Sequence, residues 1–359
     1  MIAPALTAAL AALFALLLFE QYVRRRGTYQ FAWGLGASAF AIAAATEAIA
    51  ASIGWSDGLY RTWYLGGAVW TAGWLGAGTL LLLARTRFGY WYALSLALAG
   101  LVTILVSRRL EDPSAGPIAL AYSLAAWITA AIVAWRCYLG DERWSRTAIA
   151  LTALLSAVAA PLVALMPLAA PGYAIDPTTG APVALLVPPA LRLLTPLLNV
   201  SGALALLSGA LFSVYVYMPK RRVLPYSSDP TQRGDELLFN LAIAPIAITV
   251  NFFRSLPDTV RSWRAGTLNR RVPSTALIAI GAFAPSITDS LNRVGSTEWY
   301  QTGKLIGAAL LLSGFLASVE DPDELRLPLV GEPLRALLRV VRGAPPLSSR
   351  GGAHRSRRG

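Results

Sequence analysis

Apolar runs of about 20 residues recur along this chain, and a run of that length is what an α-helix needs to cross the hydrocarbon core of a bilayer. They occupy 2–20, 30–54, 60–84, 88–107, 116–138, 146–169, 192–217, 274–293 and 298–319. With 55% of residues hydrophobic and only 14% charged, the chain has more apolar surface than a soluble core can enclose. In hydrocarbon every backbone group must find its partner inside the segment, which selects helices. The expected fold is therefore all-α: a polytopic integral membrane helical bundle of about nine transmembrane helices, with further cytoplasmic amphipathic or re-entrant helices.

The arginines set the direction of insertion. Cytoplasmic loops of membrane proteins are enriched in Lys and Arg. An N-terminus outside puts Arg24, Arg25 and Arg26 on the inside, followed by Arg85 and Arg87, then Arg136, Arg143 and Arg146, then Lys220, Arg221 and Arg222. The outer loops balance their charges, Asp57 with Arg61 and the pair Arg108 and Arg109 with Glu111 and Asp112, or are Pro-rich around Asp176, Pro177, Gly180 and Pro182. A tenth apolar stretch, 237–256, would expel Arg270, Arg271 and the arginines of the tail if it crossed. It is read instead as re-entrant or lying on the inner surface, a broken helix marked by Asn240, Pro245 and Asn251. The first run has its arginines after it and none before it, the pattern of an uncleaved anchor. The expected place is the cell (inner, cytoplasmic) membrane, crossed many times, with the C-terminus cytoplasmic.

This organisation divides the chain into a seven-span bundle at 1–217, a basic cytoplasmic or re-entrant segment at 218–273, the last two spans at 274–319, an amphipathic segment at 320–343 and a disordered basic tail at 344–359. Two surface helices are expected. From Arg254 to Arg264, Leu256, Val260 and Trp263 share a face opposite Arg254, Asp258 and Arg261. From Pro333 to Gly343, Leu334, Leu337, Leu338 and Val341 oppose Arg335, Arg339 and Arg342. Arg261, Arg264, Arg335, Arg339 and Arg342 are the candidate contacts to anionic lipid headgroups, so the bilayer is the first partner. A membrane protein partner or a second copy of the chain is the next. Although the formal charge is +12, its place between and after apolar runs argues for lipid and topology, not nucleic acid.

Two charges inside the spans stand out. Lys304 is one of two lysines against 29 arginines, and an ammonium in hydrocarbon costs roughly 3 kcal/mol or more unless paired or hydrated. Glu47 shares a helix face with Gly36, Phe40, Ala43, Ala44, Ala51 and Gly54, small residues that let helices approach closely, so it points at protein. In opposite-running spans both residues lie roughly 10 Å below the outer boundary, and a pair is feasible. Gly303 and Gly307 add another close-packing step beside the lysine. Asp289, four residues after Pro285, and the stripe of Arg192, Thr195, Asn199, Gly202, Gly209 and Ser213 complete a candidate polar site of Glu47, Lys304, Asp289, Asn199 and Arg192. The same residues equally fit a purely structural joint.

Trp63, Trp70 and Trp74 fall at i, i+7 and i+11 beside Gly66, Gly67 and Gly73. If they form one ridge, it is a candidate platform for an apolar ring or polyene ligand; packing alone would use the same spacing.

Catalysis finds little footing. The lone histidine, His354, lies in the tail and the lone cysteine is Cys137, so no bis-histidine haem, thiolate metal cluster or histidine-activated nucleophile is expected. No catalytic residue, metal or cofactor is assigned. The layout of Arg24 to Arg26, Glu47, Tyr64 and Gly66 resembles the seven-helix input modules of bacterial sensor proteins, over less than half the chain. The residues read best as a non-enzymatic scaffold or ligand-sensing bundle, with a secondary transporter or proton-coupled carrier, working through an intramembrane Glu/Lys pair, as the alternative.

Overall fold

The structure is a computed structural model that describes residues 2–165, 167–168, 187–221, 223–224, 243–293, 298–319, 331–333 and 335–336. Among them there is no strand. The helices are α1 (Ile2–Arg25), α2 (Thr28–Ile53), α3 (Asp57–Trp63), a π-helical stretch (Tyr64–Thr71), α4 (Ala72–Leu82), α5 (Gly89–Ser107), α6 (Ala115–Tyr138), α7 (Trp144–Leu165), α8 (Pro189–Tyr217), α9 (Ala244–Arg264), α10 (Arg271–Arg293) and α11 (Tyr300–Ser318). Residues 57–82 form one continuous helix whose middle is wound in the wider π turn.

Seven of these helices are long and apolar enough to cross a membrane: α1, α2, the continuous helix 57–82, α5, α6, α7 and α8. At 23 and 19 residues, α10 and α11 are comparable in length. They carry more polar side chains, and some of those are turned onto the neighbouring helix: the Ser274 hydroxyl on α10 donates to the Gly314 carbonyl on α11 at 3.0 Å.

Residues 2–318 belong to one compact unit, and a second begins at Val319. In the first, α1, α2, α4, α8, α10 and α11 close a ring in which each packs on the next, with α11 returning to α1. Leu75, Leu206 and Ala282, with Trp33 and Ile278 against them, form a core cluster joining α2, α4, α8 and α10. Helices α5, α6 and α7 form the other side of α4 and α8, around a core that includes Leu96, Val133, Trp144 and Phe212.

The tightest crossings occur where glycine removes the side chain. A Cβ on Gly76 of α4 would lie 2.6 Å from the Gly202 Cα of α8, and one on Gly202 would run into the Ala72 carbonyl. These two helices touch backbone to backbone. The Gly303 and Gly307 step works the same way, since a Cβ on Gly307 would sit 2.9 Å from the Gly281 carbonyl and one on Gly303 would strike Thr288. At the loop entering α6, Asp112 accepts from the Ser114 amide and hydroxyl at 2.8 and 2.6 Å, which holds its carboxyl below the usual carboxylate range.

The region expected to be re-entrant or to lie on the inner surface as a broken helix at 237–256, with an amphipathic helix from Arg254 to Arg264, is, from Ala244 onward, the single unbroken helix α9. Residues 237–242, with Asn240, lie outside the described residues. Pro245 falls in the first turn, where no amide partner is lost, and Pro257 sits inside without ending the helix. Asn251 does not break it either: fully buried, it accepts from the Val223 and Leu224 amides at 2.9 Å each and donates to the Leu224 carbonyl at 2.8 Å. Ser255 accepts from the Arg221 amide at 2.8 Å. The helix thus grips the chain that leaves α8.

In the second unit, 331–333 and 335–336 are helical, so helix begins before Pro333. There Arg335 pairs with Glu332 at 3.9 Å and donates to the Gly331 carbonyl. Arg339, Arg342, the rest of that amphipathic pattern and the tail 344–359 lie outside the described residues.

Candidate functional site: a buried carboxylate with four donors

Local sequence rules bring the parts into place one by one. Glu47 lies near the end of α2, whose small-residue face lets the π-helical stretch approach until a Cβ on Gly66 would be 2.9 Å from the Ala39 carbonyl. Ser56 caps α3 by accepting from the Leu59 amide, which turns the chain back along α2 and delivers Trp63 opposite Glu47. Tyr300 opens α11, so Tyr300, Gln301 and Lys304 occupy one side of its first turns.

These residues converge. A carboxylate offers about four acceptor directions, and Glu47 uses four. Its Oε1 accepts from the Trp63 indole at 2.7 Å and from the Tyr300 hydroxyl at 3.3 Å. Its Oε2 accepts from the Gln301 amide at 2.9 Å and from the Lys304 ammonium in a direct ion pair. The lysine nitrogen also stands 4.1 Å from the Tyr300 ring centre, a cation–π contact. Glu47 is 5% exposed and Lys304 9%. Three separate helical segments, α2, α3 and α11, meet at one negative charge.

Pairing decides whether such charges are tolerable. Each alone would carry several kcal/mol of desolvation cost, which only a close partner and further hydrogen bonds offset. Every oxygen lone pair of Glu47 is engaged, whereas the Gln301 Oε1 is buried with no partner among the described residues. The site has one unused acceptor and no unused carboxylate oxygen.

The remaining candidates lie elsewhere. Arg192 and Asn199 are half-buried on α8, which contributes nothing to this cluster. Asp289 belongs to α10, and its side chain lies outside the described residues. Trp63 and Trp70 both pack on the cluster of Tyr60, Tyr64, Val69 and Leu194, but the π turn between them changes the angle per residue, so their heptad spacing does not build one α-helical ridge. Trp74 is half-buried on α4. Arg261 and Arg264 are exposed on α9, Arg261 pairing with Asp258 at 3.2 Å. Arg61, expected to balance Asp57 in an outer loop, pairs with Asp57 at 4.0 Å and also donates to the Val163 carbonyl in the last turn of α7.

Two members of the cluster, Tyr300 and Gln301, lie outside the candidates read from the sequence, and Trp63 was read as part of an aromatic platform and not as a partner of Glu47. Tyr300 and Gln301 had a legible signal, since they precede Lys304 by four and three residues. Trp63 had none, because its meeting with Glu47 depends on the turn between α2 and α3. Among the described residues no three His, Cys, Asp or Glu side chains come together as metal ligands. No protein-family model matches the chain, and no match to it was found among curated proteins or solved structures.

Proposed function

We propose that this chain is a nine-span integral protein of the cell membrane, N-terminus outside and C-terminus cytoplasmic, acting as a non-enzymatic scaffold or ligand-sensing bundle. Seven spans are α1, α2, 57–82 and α5 to α8; α10 and α11 supply the other two, and their packing into one ring with the first helices supports counting them. The basic segment around Arg335, Arg339 and Arg342 docks on anionic lipid, and the bundle presents itself to a membrane protein partner or a second copy.

One observation carries the scaffold reading: the saturated Glu47 carboxylate. An ion or proton pathway needs a group that can exchange partners, and here four donors from two other segments hold both oxygens. That arrangement suits a joint locking α11 to α2. The test is flux in proteoliposomes under an imposed pH gradient. No pH-linked uptake across a panel of solutes, together with specific capture of a membrane partner, is the expected result; gradient-driven uptake abolished by Glu47→Gln would overturn it.

The second reading, a proton-coupled carrier, draws on the unpartnered Gln301 Oε1, a buried acceptor beside a charged pair. It requires the Glu47–Lys304 pair to open and exchange partners during a transport cycle.

A further inference from the structure

Helix α9 is amphipathic in the sense opposite to that of a helix packed on a soluble protein. The face turned to the bundle is small and polar: Ala244, Ala247, Asn251 and Ser255 are buried, with Ile248. The face turned away is mainly apolar, with Ile246 59%, Phe253 62%, Leu256 37%, Val260 42% and Trp263 71% exposed, and the exposed Thr249 among them turns its hydroxyl onto the Pro245 carbonyl. At about 100° per residue the five apolar residues fall on one stripe, opposite the buried face. The two flanks between stripe and buried face differ. One carries Arg254, Asp258 and Arg261; the other carries Phe252 and Thr259 and no charge. Arg264, exposed in the last turn, falls at the angle of Ile246 at the end of the stripe, where its long side chain can reach a headgroup, and Lys220, Arg221, Arg270 and Arg271 are exposed in the segments that flank α9 in the chain.

Deepening the membrane reading on which it rests, we infer that α9 is a leaflet-embedded helix that binds anionic phospholipid. The apolar stripe sits among the upper acyl chains, the uncharged flank faces the hydrocarbon, and Arg254 and Arg261 reach the headgroup phosphates. Water would leave the stripe as a large uncovered patch, and a hydrocarbon-spanning position would drown the arginines; only the interface satisfies both flanks. The hydrogen bonds from Asn251 and Ser255 to 221–224 then make α9 a strut that fixes the end of α8 relative to the leaflet surface.

The full chain tests this in lipid nanodiscs containing phosphatidylglycerol. A fluorophore on Trp263→Cys, in a Cys137→Ser background, should be quenched by lipid spin-labelled high on its acyl chain more than by lipid labelled low. The same fluorophore on Asp258→Cys should be quenched less by either. In detergent, titration with fluorescent phosphatidylglycerol should show about fivefold weaker binding for each of Arg254, Arg261 and Arg264 changed to glutamine. Three outcomes overturn the proposal: no quenching at position 263, as expected if water or a second protein covers the stripe; stronger quenching by the deep label, as in a crossing helix; or unchanged phosphatidylglycerol binding in the triple variant. Flux activity would refute the scaffold reading while leaving these results as they stand, so the two fail separately.

Discussion

Lys304 and Glu47, 257 residues apart in the chain, form a direct ion pair that ties the first turns of α11 to the last turns of α2. Removing one member leaves the other unpaired in low dielectric, typically at ~3–5 kcal/mol unless it changes protonation. Glu47→Gln and Lys304→Met should each lower the melting temperature in detergent, and the double change should recover much of the loss. Additive losses in that cycle would show that the two do not support each other.

Trp63 gives a finer test of the same cluster. Trp63→Phe removes one hydrogen bond to a charged group, about 1.5–3 kcal/mol, while retaining most of the ring packing. The loss should shrink to about 0.5–1.5 kcal/mol in a Glu47→Gln, Lys304→Met background, where the indole meets at most a neutral amide oxygen. An equal loss in both backgrounds would assign the effect to packing.

The crossing of α4 and α8 has no room for a side chain. Gly202→Ala should destabilise by about 1–3 kcal/mol or more, because its methyl meets the Ala72 carbonyl and the backbones must separate. Gly58→Ala on α3 meets nothing within 4 Å and should be close to neutral. Thermal unfolding of the two variants side by side checks the contrast.

Asn251 holds the chain after α8 through three hydrogen bonds. Asn251→Leu leaves the Val223 and Leu224 amides without their acceptor, at roughly 1–3 kcal/mol for a buried unsatisfied group. Hydrogen exchange at those two amides should quicken while the α8 core stays protected. Unchanged exchange would mean the grip contributes nothing.

Reporter fusions after Arg271 and after Arg342 should both report cytoplasm, because arginine-dense segments stay inside. An outside signal from either would break the nine-span topology.

Helix length, position and type were legible in the sequence because they rest on local quantities: an apolar run of bilayer length, a 3.6-residue period, a cap or proline at an end. Candidate spans such as 88–107 and 192–217 reappear as α5 and α8 within a few residues. Glu47 and Lys304 could be singled out because charge is costly in an apolar run wherever the partner lies. Local pattern could not say that Trp63, Tyr300 and Gln301 complete the shell of Glu47, nor that the helix read from Arg254 to Arg264 runs back unbroken to Ala244 and grips 223–224 through the buried Asn251. Those outcomes depend on which helices become neighbours, on glycine contacts that set how close they come, and on a π turn that redirects Trp70 and Trp74 relative to Trp63. Each is an energy shared between distant segments, and it exists only once the helices have packed.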